Sequence, residues 1–545
     1  MIRFDDATFT YADTVAPTLR SVDLAIPEGS FALVVGETGA GKSTLLQMVN
    51  GLAPRFTGGT LQGRVAVAGR STADHPPREL ADVVGYVGQS PSAGFVADTV
   101  EHELAFVMEN LGVAPDAMRR RVEDVLDLLG LHEIRNRPLG TLSGGQQQRV
   151  AIGSVLAASP GVLVLDEPTS ALDPAAAEDV LAALSRLVHD LGVTVLAAEH
   201  RLERVVHLAD LALLVGADGG VVTGEPGPVL GGSLLAPPVI RLGVANQWTP
   251  LPLSVRDARR RAGDASSGRA ALRDRLKAAG PSVGRRPRRT AGDVVATVRS
   301  VGAGYGPITA LKGIDLDLRA GEITALMGRN GSGKSTLLSL LVGLRSPQRG
   351  EILVRGHRPS DDPRAVKLVP QDAGTLLFES TVEAECASGD HDAGAPAGTT
   401  SEWLDRLVPG VSRGAHPRDL SEGQRLALAL AVVLVDDPDV LLLDEPTRGL
   451  DHLAKVRLIA ALDELAAEGR AIVIATHDVE VVAEVADRAI VLAAGEVVAD
   501  GSAREVVCQS PVFAPQVAKI LSPAEWLTVD EVVAALAVVE QVGRP

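Results

Sequence analysis

The chain has 545 residues, of which 46% are apolar and 22% charged, and its formal net charge is −17. This length predicts at least two cores, and the composition is typical of a globular protein rather than a disordered or fibrous one. The acidic balance argues against nucleic acid or an anionic membrane surface as the main partner.

Compartment signals are few. The first ten residues lack the basic and then apolar pattern of a secretory signal peptide. The longest apolar run, residues 426–435, is too short to cross a bilayer, so we expect any membrane role to be exercised from outside it. Only two cysteines, Cys386 and Cys508, are present, which excludes a disulfide framework and favours a reducing cytosol.

The first motif in chain order is a glycine-rich loop that follows the apolar run Phe31–Val35 and fits the pattern GxxxxGK[ST]. Backbone N–H groups of such a loop surround the β-phosphate of a nucleotide at the positive end of the next helix. The lysine bridges the β- and γ-phosphates, and the serine hydroxyl is a ligand of Mg²⁺. The predicted nucleotide-binding residues are Gly36, Glu37, Thr38, Gly39, Ala40, Gly41, Lys42, Ser43 and Thr44.

Further polar residues follow other apolar runs. Asp166 and Glu167 end the run Val162–Leu165, and His200 follows Val193–Ala197. We expect Asp166 to hold Mg²⁺ together with Ser43 and Gln89, and Glu167 to orient or deprotonate the attacking water. The predicted catalytic residues of this half are Gln89, Glu167 and His200, the last through a bond to the γ-phosphate.

Two weaker signals lie between these motifs. The segment LSGGQ precedes a helical pattern, and Ser143 is predicted to cap that helix. A simple helix start with glycines would account for this segment. The alternative is that the helix N-terminus, with Ser143, Gly145 and Gln146, holds a phosphate of a nucleotide that is bound elsewhere. Tyr11 either stacks on a purine or simply packs.

The second half repeats this ordered set. Lys42 and Lys334 are 292 positions apart but Ser143 and Ser421 only 278, so the second copy is 14 residues shorter between these motifs. Its predicted nucleotide-binding residues are Gly328, Arg329, Asn330, Gly331, Ser332, Gly333, Lys334, Ser335, Thr336, Tyr305, Ser421, Gly423 and Gln424. Its predicted metal ligands are Ser335, Gln371 and Asp444, and its predicted catalytic residues are Gln371, Glu445 and His477.

The fold class predicted from these patterns is α/β, with two tandem nucleotide-binding domains. Short, wholly apolar strands are typical of a mostly parallel sheet that is buried on both faces. We place the domains at residues 1–245 and 293–522, with a flexible basic linker at 246–292 and a helical tail at 523–545. Residues 254–290 carry 12 basic residues and three aspartates, which favours a solvated tether over a contact with lipid headgroups or RNA.

The ordered set of Walker A loop, Gln loop, LSGGQ signature, Walker B strand with adjacent Glu, and His resembles ABC-type ATPases. The resemblance covers both halves and implies a helical signature subdomain in each domain, with ATP and Mg²⁺ as ligands. It also implies a head-to-tail sandwich. ATP would then lie between the loop of Lys42 and the signature of Ser421, and between the loop of Lys334 and the signature of Ser143.

Residues 98–112, DTVEHELAFVMENLG, look like the ATPase subunits of energy-coupling factor (ECF) transporters, from which Val107 and Met108 depart slightly. This resemblance implies import of vitamins or of cobalt and nickel ions, with a membrane scaffold subunit and a substrate-binding membrane subunit as partners. It places the chain at the cytoplasmic face of the membrane, without nucleic acid and without contact to the transported substrate. We expect the missing residues to fall mainly between the Gln loop and the signature.

Two alternatives stay open. An ABC-F type translation factor also has two fused ATPase domains and a basic linker, and a sugar importer can have a tandem ATPase. A departure from the family pattern bears on chemistry, because Glu422 stands where the first signature has Gly144. A carboxylate there would repel the phosphates of the site built on Lys42, so we expect unequal sites.

Overall fold

A computed structural model of the protein describes residues 1–12, 14–170, 172–264, 270–279, 289–306 and 308–542. The chain divides into two units. The first unit comprises Met1–Val244 and Thr249–Ser254, and the second comprises Ala245–Trp248 and Val255–Pro545.

The first unit begins with strands and alternates strands with helices thereafter. Its elements are β1 Ile2–Thr10, β2 Leu19–Ile26, β3 Phe31–Gly36, α1 Lys42–Val49, α2 Leu52–Arg55, β4 Thr60–Val67, β5 Arg70–Ser71, α3 Pro77–Leu80, β6 Val84–Val87, α4 Val100–Asn110, α5 Pro115–Leu129, α6 Gly144–Leu156, β7 Val162–Asp166, α7 Pro174–His189, β8 Thr194–Ala198, α8 Leu202–Val205, β9 Leu211–Val215, β10 Val221–Gly224, α9 Pro226–Gly231 and α10 Pro238–Ala245.

The larger sheet of the first unit has the strand order β10-β9-β3-β8-β7-β6. Its strands are parallel except for β10, an antiparallel edge strand. Every residue of β3, β7 and β8 is buried, as expected for parallel strands covered on both faces. A smaller antiparallel sheet, β2-β1-β4-β5, shares one hydrophobic core with it. The carboxyl ends of β3, β8, β7 and β6 therefore lie side by side, and the predicted motifs follow them.

The second unit repeats this plan after two additional helices. Its elements are α11 Val255–Gly263, α12 Leu272–Ala279, β11 Val294–Tyr305, β12 Ile308–Arg319, β13 Ile323–Met327, α13 Lys334–Leu341, β14 Arg349–Val354, β15 Val366–Val369, α14 Val382–Ala393, α15 Thr399–Leu407, α16 Glu422–Leu434, β16 Val440–Asp444, α17 His452–Ala467, β17 Ala471–Ala475, α18 Val479–Val485, β18 Arg488–Ala493, β19 Glu496–Ser502, α19 Ala503–Gln509, α20 Gln516–Leu521 and α21 Val529–Val542.

The main sheet of the second unit has the order β15-β16-β17-β13-β18-β19, with β19 as its antiparallel edge. The smaller sheet is β12-β11-β14. The predicted α/β class with mostly parallel sheets is confirmed, and the six apolar runs form β3, β7, β8, β13, β16 and β17.

The location of the missing residues was predicted wrongly. Gln89 follows Lys42 by 47 positions, whereas Gln371 follows Lys334 by 37, so most of the 14 residues are lost before the Gln loop. The first unit has β5 and α3 in this stretch, and residues 355–365 of the second unit contain no helix or strand. The region after the Gln loop differs less, although α5 has 15 residues and α15 only 9.

The described part of residues 246–292 differs from the flexible linker predicted there. Ala258 and Ala262 are buried one turn apart in α11, and Leu272 and Leu276 are buried in α12. These faces pack against α20 and α21 respectively, so α21 of the predicted tail is also part of the second unit. The alanines of α11 are too short, and the two leucines of α12 too few, to give an apolar pattern that predicts packing. Residues 265–269 and 280–288 lie outside the described residues.

Across the described ranges, we find no helix whose length and apolar character would let it span a bilayer.

Candidate functional site

The glycine loops join β3 to α1 and β13 to α13. Gly41 and Gly333 precede these helices in the left-handed region, with φ of 106° and 109°. A Cβ on Gly333 would come within 2.6 Å of Leu311 Cδ2, and one on Gly41 within 3.1 Å of Leu19 Cδ2. Both positions therefore need glycine for conformation, and Gly333 also needs it for space.

The lysine of each loop lies folded within it. Lys42 Nζ donates hydrogen bonds of 2.9 Å to the carbonyls of Gly36 and Glu37. Lys334 Nζ donates to the carbonyl of Gly328 at 2.8 Å and to that of Arg329 at 3.3 Å. Each ammonium group is thus held inside a ring of backbone, where the charge is available to a bound polyphosphate.

A serine hydroxyl and a carboxylate oppose each other at the start of each loop helix. Ser43 lies beside Asp166 and Ser335 beside Asp444, and each serine hydroxyl favours the charged form of its carboxylate. Burial raises the pKa of Asp166 and of Asp444 above the usual value, against the opposing effects of these serines and the loop lysines. Mg²⁺ prefers oxygen ligands of this kind and would compensate the buried charge, so the two pairs fit the metal.

In the first site, the carboxylate of Glu167 contacts the side chains of both His200 and Gln89. His200 Nε2 lies 2.9 Å from Glu167 Oε1, and Gln89 Nε2 donates to Glu167 Oε2 at 3.3 Å. Burial pushes the pKa of Glu167 upward, but His200, then Lys42 and Gln89, outweigh burial and hold the pKa below its usual value. An ionised carboxylate fixed in this way can take a proton from water that attacks a phosphate.

The backbone of this glutamate is unusual in both units. Glu167 has a φ of 53° and Glu445 a φ of 49°, in the left-handed region that non-glycine residues seldom adopt. Their amides donate to Ala198 and Ala475 on the neighbouring strands, at 2.9 and 2.8 Å. The same strained turn in two copies directs both side chains, which agrees with a positioned reactive group.

The second site has different partners. His477 Nδ1 lies 2.8 Å from Glu445 Oε2, and the Thr476 hydroxyl lies 3.3 Å from the same oxygen. Gln371 is exposed and, in the part of the chain that the structure describes, its side chain forms no hydrogen bond. The structure therefore joins Gln89 to Glu167 but does not join Gln371 to Glu445.

Both signature segments begin helices with a capping box. Ser143 and Gln146 exchange hydrogen bonds of 3.0 and 3.4 Å, and Ser421 and Gln424 exchange bonds of 3.1 and 3.3 Å. Each serine is exposed at the helix start, where an anion can be held.

The glycines inside the signature segments serve helix packing. A Cβ on Gly145 would come 2.8 Å from Ala176 Cβ, and one on Gly423 would come 2.9 Å from Ala454 Cβ. These glycines let α6 approach α7 and α16 approach α17. Their predicted part in nucleotide binding has no separate support in the geometry.

The carboxylate of Glu422 is paired, which the sequence analysis did not anticipate. Arg425 Nη1 lies 2.7 Å from Glu422 Oε1, and the same guanidinium donates to the carbonyls of Arg418 and Leu420 at 3.0 and 3.1 Å. The repulsion expected from Glu422 is therefore largely compensated by a neighbouring cation. The first unit has Gly144 and Gln147 at these two positions.

Tyr11 and Tyr305 lie beside the two nucleotide loops. Tyr11 and Thr44 share a hydrogen bond of 2.8 Å between their hydroxyls, and Thr336, followed by Arg345, holds the pKa of Tyr305 below its usual value against burial. Arg345 lies over the Tyr305 ring, 4.0 Å from its centroid. These contacts fix both rings beside the loops, so packing on the loop is shown and stacking on a purine stays a prediction.

Sequence reasoning missed two residues of the first site. Tyr86 on β6 faces Asp166, and burial followed by the charge of Asp166 raises the pKa of Tyr86 to about 12. Glu199 is buried immediately before His200. An alignment of the two halves could have found both residues, because the second half has Leu368 in place of Tyr86 and Thr476 in place of Glu199.

Known proteins match both halves. A family model described as "ABC transporter" matches residues 19–170 and 311–448. A "Putative ABC transporter ATP-binding protein" of Streptomyces avermitilis is 59% identical over 568 aligned positions, covering 98% of this chain and 100% of that protein. One from Methanosarcina mazei is 35% identical, covering 93% of this chain and 90% of that protein.

A solved structure, "RNase-L Inhibitor", is similar over 92% of both chains with a TM-score of 0.60 and 21% identity. At this level of identity the likeness shows the tandem fold alone.

Proposed function

Since the chain belongs to the ABC transporter family and is an ATP hydrolase with two tandem cassettes, we propose that it energises an importer at the cytoplasmic face of a membrane. The importer is of the ECF type and moves vitamins or cobalt and nickel ions. Its membrane scaffold and substrate-binding subunits are the partners, and the chain does not touch the transported substrate.

The observation that carries this proposal is an exposed apolar side chain just beyond each Gln loop. Val96 is 64% exposed and Phe378 is 84% exposed. Large apolar groups in water favour burial against a partner. They lie seven residues after Gln89 and Gln371, so a partner bound there can act on the hydrolytic site of the first unit through Gln89.

These side chains stand on fixed backbone. Glu103 is buried in α4, and its Oε2 accepts hydrogen bonds from the amides of Val96 and Ala97 at 3.0 and 2.8 Å. Glu385 in α14 accepts from the amides of Phe378 and Glu379 at 2.8 and 2.7 Å. A preorganised loop loses less conformational freedom on binding, which favours a specific docking surface over an incidental exposed residue.

The ECF assignment is supported by residues 98–112, which include α4 and its buried Glu103. Both ATP sites are proposed to be shared head to tail, each with the glycine loop of one unit and the signature serine of the other. ATP binding then closes the sandwich and hydrolysis reopens it, which moves the scaffold.

The test uses the full chain co-expressed with each membrane protein that the neighbouring genes are found to encode. The test variants are Phe378→Asp and Val96→Asp. The control variants are Val498→Asp and Val222→Asp, which change residues that are each 60% exposed on an edge strand. We expect the first pair to lower recovery with the membrane subunits at least tenfold, and the second pair to leave it unchanged. Melting temperatures check that all four fold.

Equal recovery of all four variants would count against the docking loops. Sedimentation of the chain with ribosomes and not with membranes would overturn the proposal in favour of a translation factor.

A further inference from the structure

Glu199 is a second carboxyl group behind the hydrolytic centre of the first unit. It follows β8, precedes His200 and is only 2% exposed. Its Oε1 accepts a hydrogen bond of 2.7 Å from the amide of Thr169, two residues after Glu167. Its Oε2 is buried and, among the described residues, has no hydrogen-bond partner.

The second unit has a different residue, with different contacts, at the position of Glu199. Thr476 replaces Glu199, and its hydroxyl lies 3.3 Å from Glu445 Oε2 and accepts from the amide of Asp478 at 3.0 Å. Asp478 in turn pairs with Lys455 Nζ at 3.0 Å. A neutral hydroxyl thus touches the glutamate in the second unit, whereas an ionisable group faces it in the first.

The surroundings of Glu199 make its charge responsive to neutral pH. Burial, with added repulsion from Glu167, raises the pKa of Glu199 to about 7, although Thr169 and Arg204 oppose the rise. The charged groups that face it are Glu167 from the end of β7 and Arg204 from α8. Glu199 therefore passes from neutral to charged within the physiological range.

We propose that Glu199 is a positioning residue of the first ATP site, which holds the turn carrying Glu167 and tunes the basicity of that carboxylate. Glu167 takes a proton from the attacking water. At the same time the water oxygen bonds to the γ-phosphorus, and the bond from that phosphorus to the leaving oxygen breaks. A negative Glu199 nearby makes Glu167 a stronger base, and a neutral Glu199 does not. The proposal rests on ATP hydrolysis alone and not on the transport partner.

The test measures ATP hydrolysis by the purified full chain from pH 6 to pH 8.5. Glu199→Gln keeps an oxygen for the Thr169 amide but is neutral at every pH. We expect it to match the unaltered chain near pH 6, where Glu199 is itself neutral, and to fall about fivefold below it in kcat at pH 8. The KM for ATP should stay within twofold.

Three further variants make the result specific. Glu178→Gln removes an exposed carboxylate on α7 and should change nothing at either pH. Glu199→Thr introduces the residue of the second unit and serves if the glutamine variant does not fold. Adding Glu445→Gln assigns any effect to the first site.

A ratio between Glu199→Gln and the unaltered chain that is the same at pH 6 and pH 8 would overturn the proposal. A purely structural role predicts that constant ratio.

Discussion

In the first unit the carboxylate of Glu167 meets the amide of Gln89, whereas in the second unit that of Glu445 meets the hydroxyl of Thr476. The glycine loops, the serine–aspartate pairs and the strained glutamate turns are alike in both units. Phosphate binding has therefore kept one geometry, and the surroundings of the general base have diverged. Two copies of one motif set can thus give two different reaction sites.

The largest expected effect comes from removing each general base. Glu167→Gln and Glu445→Gln should each lower hydrolysis at the altered site about 100-fold or more, because general-base catalysis contributes roughly that much. Since the partners of the two glutamates differ, the total ATPase rates of the two single variants should differ. Steady-state phosphate release measures both, and equal losses would contradict unequal sites.

A smaller effect concerns thermal stability, which should depend on pH for a variant at Glu199 and not for one at Thr476. A carboxyl whose pKa rises from 4.5 to about 7 on folding favours the folded state fully below pH 4.5, and this benefit is lost as pH rises through 7. The shift corresponds to at most about 3 kcal/mol. Glu199→Gln should therefore raise the melting temperature at pH 8 and raise it less at pH 5.

Thermal unfolding of the full chain at the two pH values is the measurement. The control is Thr476→Ser in the second unit. It changes no ionisable group and should therefore shift the melting temperature by the same amount at both pH values. A Glu199→Gln effect that does not depend on pH would show that Glu199 keeps an ordinary pKa.

The smallest effect concerns the signature segments. Arg425→Gln gives the second unit the residue of the first and leaves Glu422 without its cation. In the Arg425–Glu422 pair the carboxylate side chain is 48% exposed and the arginine 21%, so we expect the KM for ATP to rise only about two- to threefold, within about 1 kcal/mol.

The double variant Glu422→Gly with Arg425→Gln copies the first signature at both positions and should restore the KM. Failure of the double variant to restore it would show that Arg425 acts through the carbonyls of Arg418 and Leu420 rather than through charge.

The sequence by itself determined the repeat, the fold class and the six buried strands, because a parallel sheet covered on both faces requires short, wholly apolar runs. It also identified the glycine loops, where backbone geometry restricts the residue types so strongly that spacing alone carries the prediction. The roles proposed for the aspartates and glutamates came from the same spacing.

Only the tertiary structure decided which groups meet. The pairing of Gln89 with Glu167, the cation beside Glu422 and the buried Glu199 depend on atoms brought together from separate strands and helices. It also decided that α11 and α12, read as a solvated tether, pack on α20 and α21 through alanines and leucines. Burial and charge neighbours set these properties, and both arise from folding rather than from local pattern.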